Sequence, residues 1–162
     1  MRVLGVDPGT SVTGYGVIET GNGGEGEAPG IGRLLECGVI AFARRTPLPH
    51  RLAELHAGVA ELIARHHPHA LALENAFYHK NVRTTLVLGH ARGVVLLAAE
   101  QAGLEIAEYA PATVKKTVAG AGGAPKAQVG ALVARLLRLK HAPTPADAAD
   151  GVAVALTHIL RA

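Results

Sequence analysis

RVLGVDPGTSVTGYGVIET, residues 2–20, decides the fold. RVLGVD (2–7) is a short apolar run that ends in a carboxylate before a Pro-Gly turn, so it reads as a buried strand. GYGVIET (14–20) reads as a second strand. The Gly-rich stretch 21–30 follows as a hairpin or loop, and RLLECGVIAF (33–42) then reads as a third strand. No crossover separates strands two and three, so they are expected to be antiparallel. Residues 50–67 carry Leu52, Leu55, Val59, Leu62 and Ile63 at helical spacing, and Pro68 stops that helix. ALALEN (70–75) is again an apolar run ending in a carboxylate, a fourth strand. A long apolar helix over 83–102 and a fifth strand, LEIAEY (104–109), come next. Helices are predicted at about 112–119, 126–139 and 146–161, with the flexible AGAGGAP (119–125) between the first two.

Right-handed crossovers would set strand four beside strand one and strand five outside it. The expected architecture is α/β: a mixed five-stranded sheet, three antiparallel strands then βα crossovers, flanked by helices. That arrangement is of ribonuclease H type. At 162 residues, with no internal repeat or boundary, the chain reads as a single domain over 1–162.

Composition narrows the function. Hydrophobic residues make up 49% and charged residues 18%, which excludes a disordered tail. One cysteine, Cys37, excludes an internal disulfide and a cysteine-based zinc site. The start lacks the apolar stretch of a signal peptide, and the longest apolar region, around 94–99, is far short of a membrane span. The sequence therefore reads as cytoplasmic and not membrane-bound. Residues 109–146 hold Lys115, Lys116, Lys126, Arg135, Arg138 and Lys140 and no acid, a net charge of +6. Such a segment points to a polyanion partner such as nucleic acid, with a solvated helix face as the alternative.

Only three aspartates occur, Asp7, Asp147 and Asp150, against ten glutamates. Asp7 and Glu74 end strands expected to be parallel neighbours about 4.8 Å apart. Alternation groups Val3, Gly5 and Asp7 on one face and Ala70, Ala72 and Glu74 on one face, the small residues leaving room for a helix. Asp147 and Asp150, three apart at the start of the last helix, share a face. A carboxylate at a helix N-terminus is also favoured by the dipole alone. Clustered carboxylates repel unless protonated or bound to cations, and an all-oxygen set suits Mg²⁺ or Mn²⁺. Two such ions can serve phosphodiester hydrolysis.

DPGTSVTGYG (7–16), ENAFYHKN (74–81), LGHARG (88–93) and ADAADG (146–151) resemble, in order and spacing, the RuvC family of Holliday-junction resolvases. The likeness covers essentially the whole chain. It implies a homodimer that requires Mg²⁺ or Mn²⁺, with two ions per active site. It implies symmetric nicking of two opposed strands of four-way junction DNA, in homologous recombination and repair. The branch-migration proteins RuvA and RuvB are implied as partners. By motif, the catalytic and metal-binding carboxylates would be Asp7, Glu74, Asp147 and Asp150. The junction-wedge aromatic falls on Phe77, with Tyr78 after it, and basic DNA contacts fall on Lys115 and Lys126. Lys116, Lys80 and Arg83 are adjacent candidates for phosphate.

Bottom-up alternatives stay open at this stage. Phe77 could stack on an unpaired base or anchor a loop. The long helix, with Gly89 and Gly93 four apart, could bury itself on the sheet or form a two-fold interface. HHPH (66–69) sits at a helix C-terminus, where histidine is favoured by the dipole. His141 and His158 lie near the carboxylates in sequence, with no role indicated. An actin-type ATPase or sugar kinase also opens on an Asp-Gly-Thr loop, but needs two related domains. A non-catalytic DNA-binding module leaves the carboxylates unexplained.

Overall fold

A computed structural model of the chain describes residues 1–21, 30–43, 45–76 and 79–162. The elements run β1 (Arg2–Asp7), β2 (Val12–Glu19), β3 (Arg33–Ala41), α1 (Leu48–His66), β4 (Ala70–Glu74), α2 (Val82–Gln101), β5 (Glu105–Tyr109), α3 (Pro111–Ala119), α4 (Lys126–Leu136) and α5 (Ala146–Arg161). The sheet order is β3-β2-β1-β4-β5. Its first three strands are antiparallel, and β1, β4 and β5 are parallel. The expected mixed sheet, with strand four beside strand one, is the one observed.

Alternation along the strands sorts the core into two layers. Val3, Ile18 and Ala72 face α3, α4 and α5. Leu4, Val6, Val17, Leu71 and Leu73 face α1 and α2. On the first face α5 lies directly across β1 and β2, because glycines let the backbones meet. A Cβ at Gly14 would stand 1.7 Å from the Asp147 carbonyl oxygen, and one at Gly151 would stand 2.4 Å from Tyr15 Cα. Any side chain at either position would force the helix off the sheet.

Two expectations need correction. The helix predicted over 126–139 ends at Leu136. Leu137 turns inward to a buried site, Arg138 takes a left-handed φ of 55°, and the Leu139 N–H donates back to the Ala134 carbonyl at 2.8 Å. The apolar length of α2 also exceeds what the contiguous run at 94–99 suggests. The 20-residue helix is long and apolar enough, by length and composition, to cross a membrane, with a mean hydropathy of 1.3 over its most apolar 18 residues. Its apolar residues circle the helix, so counting a contiguous run misses them. Ala91, Val95, Ala98 and Ala99 are buried, while Val82, Leu86 and Leu97 are exposed. Where a Cβ would project from Gly89 or Gly93 there is open space.

Candidate active site

Parallel pairing matches Gly5 with Ala72 and Val6 with Leu73, so Asp7 and Glu74, one residue on, leave the sheet together at one edge. The glycine contacts bring the first turns of α5 over that edge. Asp150 then reaches the same place. Asp7, Glu74 and Asp150 line a cleft of about 150 Å³ together with Lys115 of α3 and Lys126 of α4. Pro111, Val114, Val129 and Ala153 wall it with apolar surface. The Lys126 Nζ donates to Asp150 Oδ2 at 2.8 Å.

The electrostatics are those of a cation-seeking site. Burial, then repulsion from Glu74, Asp150 and Asp147, pushes the Asp7 carboxyl up to about 8, against the pull of Lys126. Burial and the Asp150 charge push Glu74 up to about 7, with Lys115 and Lys126 opposing. The bond to Asp150 raises Lys126 in turn. Carboxylates this desolvated and this close are held ionised only by added positive charge. Among the described residues, no three His, Cys, Asp or Glu side chains are gathered tightly enough to cage an ion by themselves. The Lys126 ammonium provides local positive charge instead. The donor set, oxygen only and short of positive charge, fits hard divalent cations.

The four expected carboxylates are not equivalent. Asp147, in the first turn of α5, stands outside the cleft lining, though its charge is felt at Asp7 and Lys126. The lysine pair Lys115 and Lys116 also divides. Lys115 faces the carboxylates, whereas Lys116 lies on a separate groove with Thr113, Thr117, Leu160 and Arg161. Lys80 and Arg83 are exposed beside the start of α2 and do not enter the cleft. Phe77 and Tyr78 lie outside the described residues, as does most of the 21–30 loop.

Several histidines have structural partners. His66 pairs with Glu36, and His69 Nδ1 accepts from the Arg2 N–H. His158 is buried and bonded to the Tyr109 hydroxyl at 2.9 Å, on the part of α5 far from Asp150. His141 is exposed. What the sequence did not reveal is the Lys126–Asp150 bond and the apolar walls. Both depend on how α3 and α4 pack on α5, which no local pattern encodes.

The sheet order and helix placement define the ribonuclease H-like class, and an acidic cleft faced by lysines suits a nuclease within it. A family profile described as "Crossover junction endodeoxyribonuclease RuvC" matches residues 3–158. The protein of that name from Halorhodospira halophila is 48% identical over 157 residues, 97% of this chain and 89% of the relative. Its namesake from Azorhizobium caulinodans is 51% identical over 160 residues, covering 98% and 89%. Among solved structures, Thermus thermophilus RuvC superposes with a TM-score of 0.86 at 38% identity, covering 99% of this chain and 94% of that one. A second T. thermophilus RuvC structure, in complex with a Holliday junction substrate, gives a TM-score of 0.85 at 34% identity with the same coverage. The chain belongs to the RuvC family of endodeoxyribonucleases, whose members depend on a divalent metal.

Proposed function

We propose that this chain resolves four-way (Holliday) DNA junctions in homologous recombination and repair, nicking two opposed strands symmetrically as a cytoplasmic homodimer. One observation carries the reading: three carboxylates from β1, β4 and α5 converge on a cleft that two lysines face. Asp7, Glu74 and Asp150, with Asp147 at the rim, would hold Mg²⁺ or Mn²⁺, two ions per site. Bound there, the metal supplies water activation and stabilises the leaving oxygen.

The protein's own groups do the rest. Lys115 and Lys126 hold the scissile phosphate between them and offset its charge. Lys126 is bonded to Asp150, so its ammonium is held at the cleft before DNA arrives. Val114, Val129, Pro111 and Ala153 restrict bulk water on the apolar side. Phe77 and Tyr78 stack on bases at the junction centre, at about 1–3 kcal/mol per base. Lys80, Arg83 and Lys116 hold backbone phosphates farther out.

A junction presents two symmetric cut sites, and a two-fold dimer presents two clefts. The uncovered side of α2, with Val82, Leu86, Leu97, Gly89 and Gly93, is the surface for that pairing. RuvA and RuvB complete the set of partners that family membership implies. A synthetic four-way junction incubated with and without Mg²⁺ tests the reading. Paired nicks at symmetric positions, only with metal, are expected. An uncut junction in Mg²⁺ and Mn²⁺, or equal cutting of linear duplex, sinks it.

A further inference from the structure

We infer that Glu108 is a positioning residue for Glu74, acting from the opposite face of the sheet through Asn75 and Arg92. The inference rests on the reading of Glu74 as a catalytic carboxylate.

Glu74 needs outside support. Its carboxylate takes no side-chain hydrogen bond among the described residues, and what shifts its proton affinity is burial and charge alone. Its place is therefore set by the backbone at the end of β4. There the β4–β5 ladder closes with Leu73 beside Glu108 and Glu74 beside Tyr109. The Asn75 N–H adds one more bond, to the Tyr109 carbonyl at 2.9 Å, before the chain leaves the sheet. Alternation directs Glu74 toward α5 and directs Asn75 and Glu108 to the α2 face.

On that face a single carboxylate ties three elements together. Glu108 Oε2 accepts from the Asn75 amide Nδ2 at 3.3 Å, and Glu108 Oε1 accepts from Arg92 Nη2 of α2 at 2.5 Å. Asn75 is only 6% exposed, and its Oδ1 finds no hydrogen-bond partner among the described residues. The bond to Glu108 is thus what holds that buried amide in one orientation. With the amide held, the peptide between residues 74 and 75 cannot turn without breaking it. Glu74 is thereby fixed on the far face. The Arg92 and Glu108 side chains keep 28% and 31% of their exposure, so solvent screens the pair and it adds little to global stability. A role in geometry and a role in stability are therefore separable.

The experiment compares the full-length protein with Glu108→Ala, Glu108→Gln and Asn75→Ala. It measures the cleavage rate at saturating four-way junction, junction affinity without metal, and the thermal midpoint. Glu108→Ala and Asn75→Ala are each expected to slow cleavage by about tenfold, since sub-ångström displacement of a reacting group is costly. Affinity should stay within about twofold and the midpoint should fall by only a few degrees, the cost of one hydrogen bond lost at a buried amide. Glu108→Gln keeps an oxygen for Asn75 and should recover most of the rate. The double variant should be no slower than either single one, because both break the same bond. A Glu108→Ala rate close to that of the parent overturns the inference. So does a loss that tracks the thermal midpoint and that glutamine does not restore. Glu74→Gln, run alongside, separates the two levels. If Glu74→Gln is inactive and Glu108→Ala is normal, only the positioning role falls. If Glu74→Gln still cuts, the site assignment falls and the positioning role with it.

Discussion

Helices α5 and α2 are both long and apolar, and they are used in opposite ways. Ten of the 16 residues of α5 are buried, in an unbroken contact with β1 and β2 made possible by Gly14 and Gly151. Only four of the 20 residues of α2 are buried, and its glycines face open space. Glycine in a helix weakens it, so it is retained where a close approach requires it. In α5 that approach is to the chain's own sheet. In α2 no part of the described chain supplies it, and large exposed apolar side chains beside the glycines suit a second copy. The same residue type serves folding in one helix and, in the proposed dimer, assembly in the other.

The sharpest way to break this comparison is to add volume at a glycine of each helix. Gly151→Val drives a side chain into the Tyr15 backbone and should destabilise the chain by about 3 kcal/mol or more, read as a large fall in thermal midpoint. Gly93→Val should leave the midpoint of the monomer nearly unchanged. Equal losses at the two positions would show that α2 is covered within the chain. Next in size, Leu86→Glu combined with Leu97→Glu should shift the protein from dimer to monomer in sedimentation, with the isolated chain still folded. An unchanged dimer would place the interface elsewhere.

A third effect concerns the end of α5 that meets the carboxylates. Asp7 and Glu74 hold protons more tightly when folded, at about 8 and about 7, than their ordinary values of 3.8 and 4.5. The folded chain therefore binds more protons across that window. Their contribution is full below about pH 4 and is lost as pH rises through 7 to 8. In metal-free buffer the midpoint of the parent should fall from pH 5 to pH 8 relative to Asp7→Asn. The shift should be on the order of 10 °C, at about 1.4 kcal/mol per pH unit and about 2–4 °C per kcal/mol for a chain of this size. Parallel curves for the two proteins would mean that the cleft is not strained by its own charges.

Strand order was legible because β-strands declare themselves by alternation, and crossover handedness then leaves one arrangement. Asp7 and Glu74 were legible for the same reason: each ends an apolar run, and parallel register brings the ends together. Asp147 and Asp150 looked alike in the sequence, and the structure separates them. Which of the two faces the cleft depends on the rotation of α5 about its axis. That rotation is fixed by the Gly14 and Gly151 contacts with distant residues. Lys115 and Lys116 divide similarly. Neighbours on a helix point about 100° apart, and burial of Val114 and Val118 decides which lysine turns inward. The Glu108 network was invisible because its three members come from three elements and share no motif.

Two of the acidic groups ride on α5, which follows every strand in chain order. A ribosome therefore completes the whole sheet before Asp147 and Asp150 exist. The same helix covers much of one sheet face, so a product that stops before it lacks one of the two core layers and two of the four carboxylates at once. A chain that stops short of α5 therefore has neither the cover for that sheet face nor the two aspartates proposed to complete the metal site.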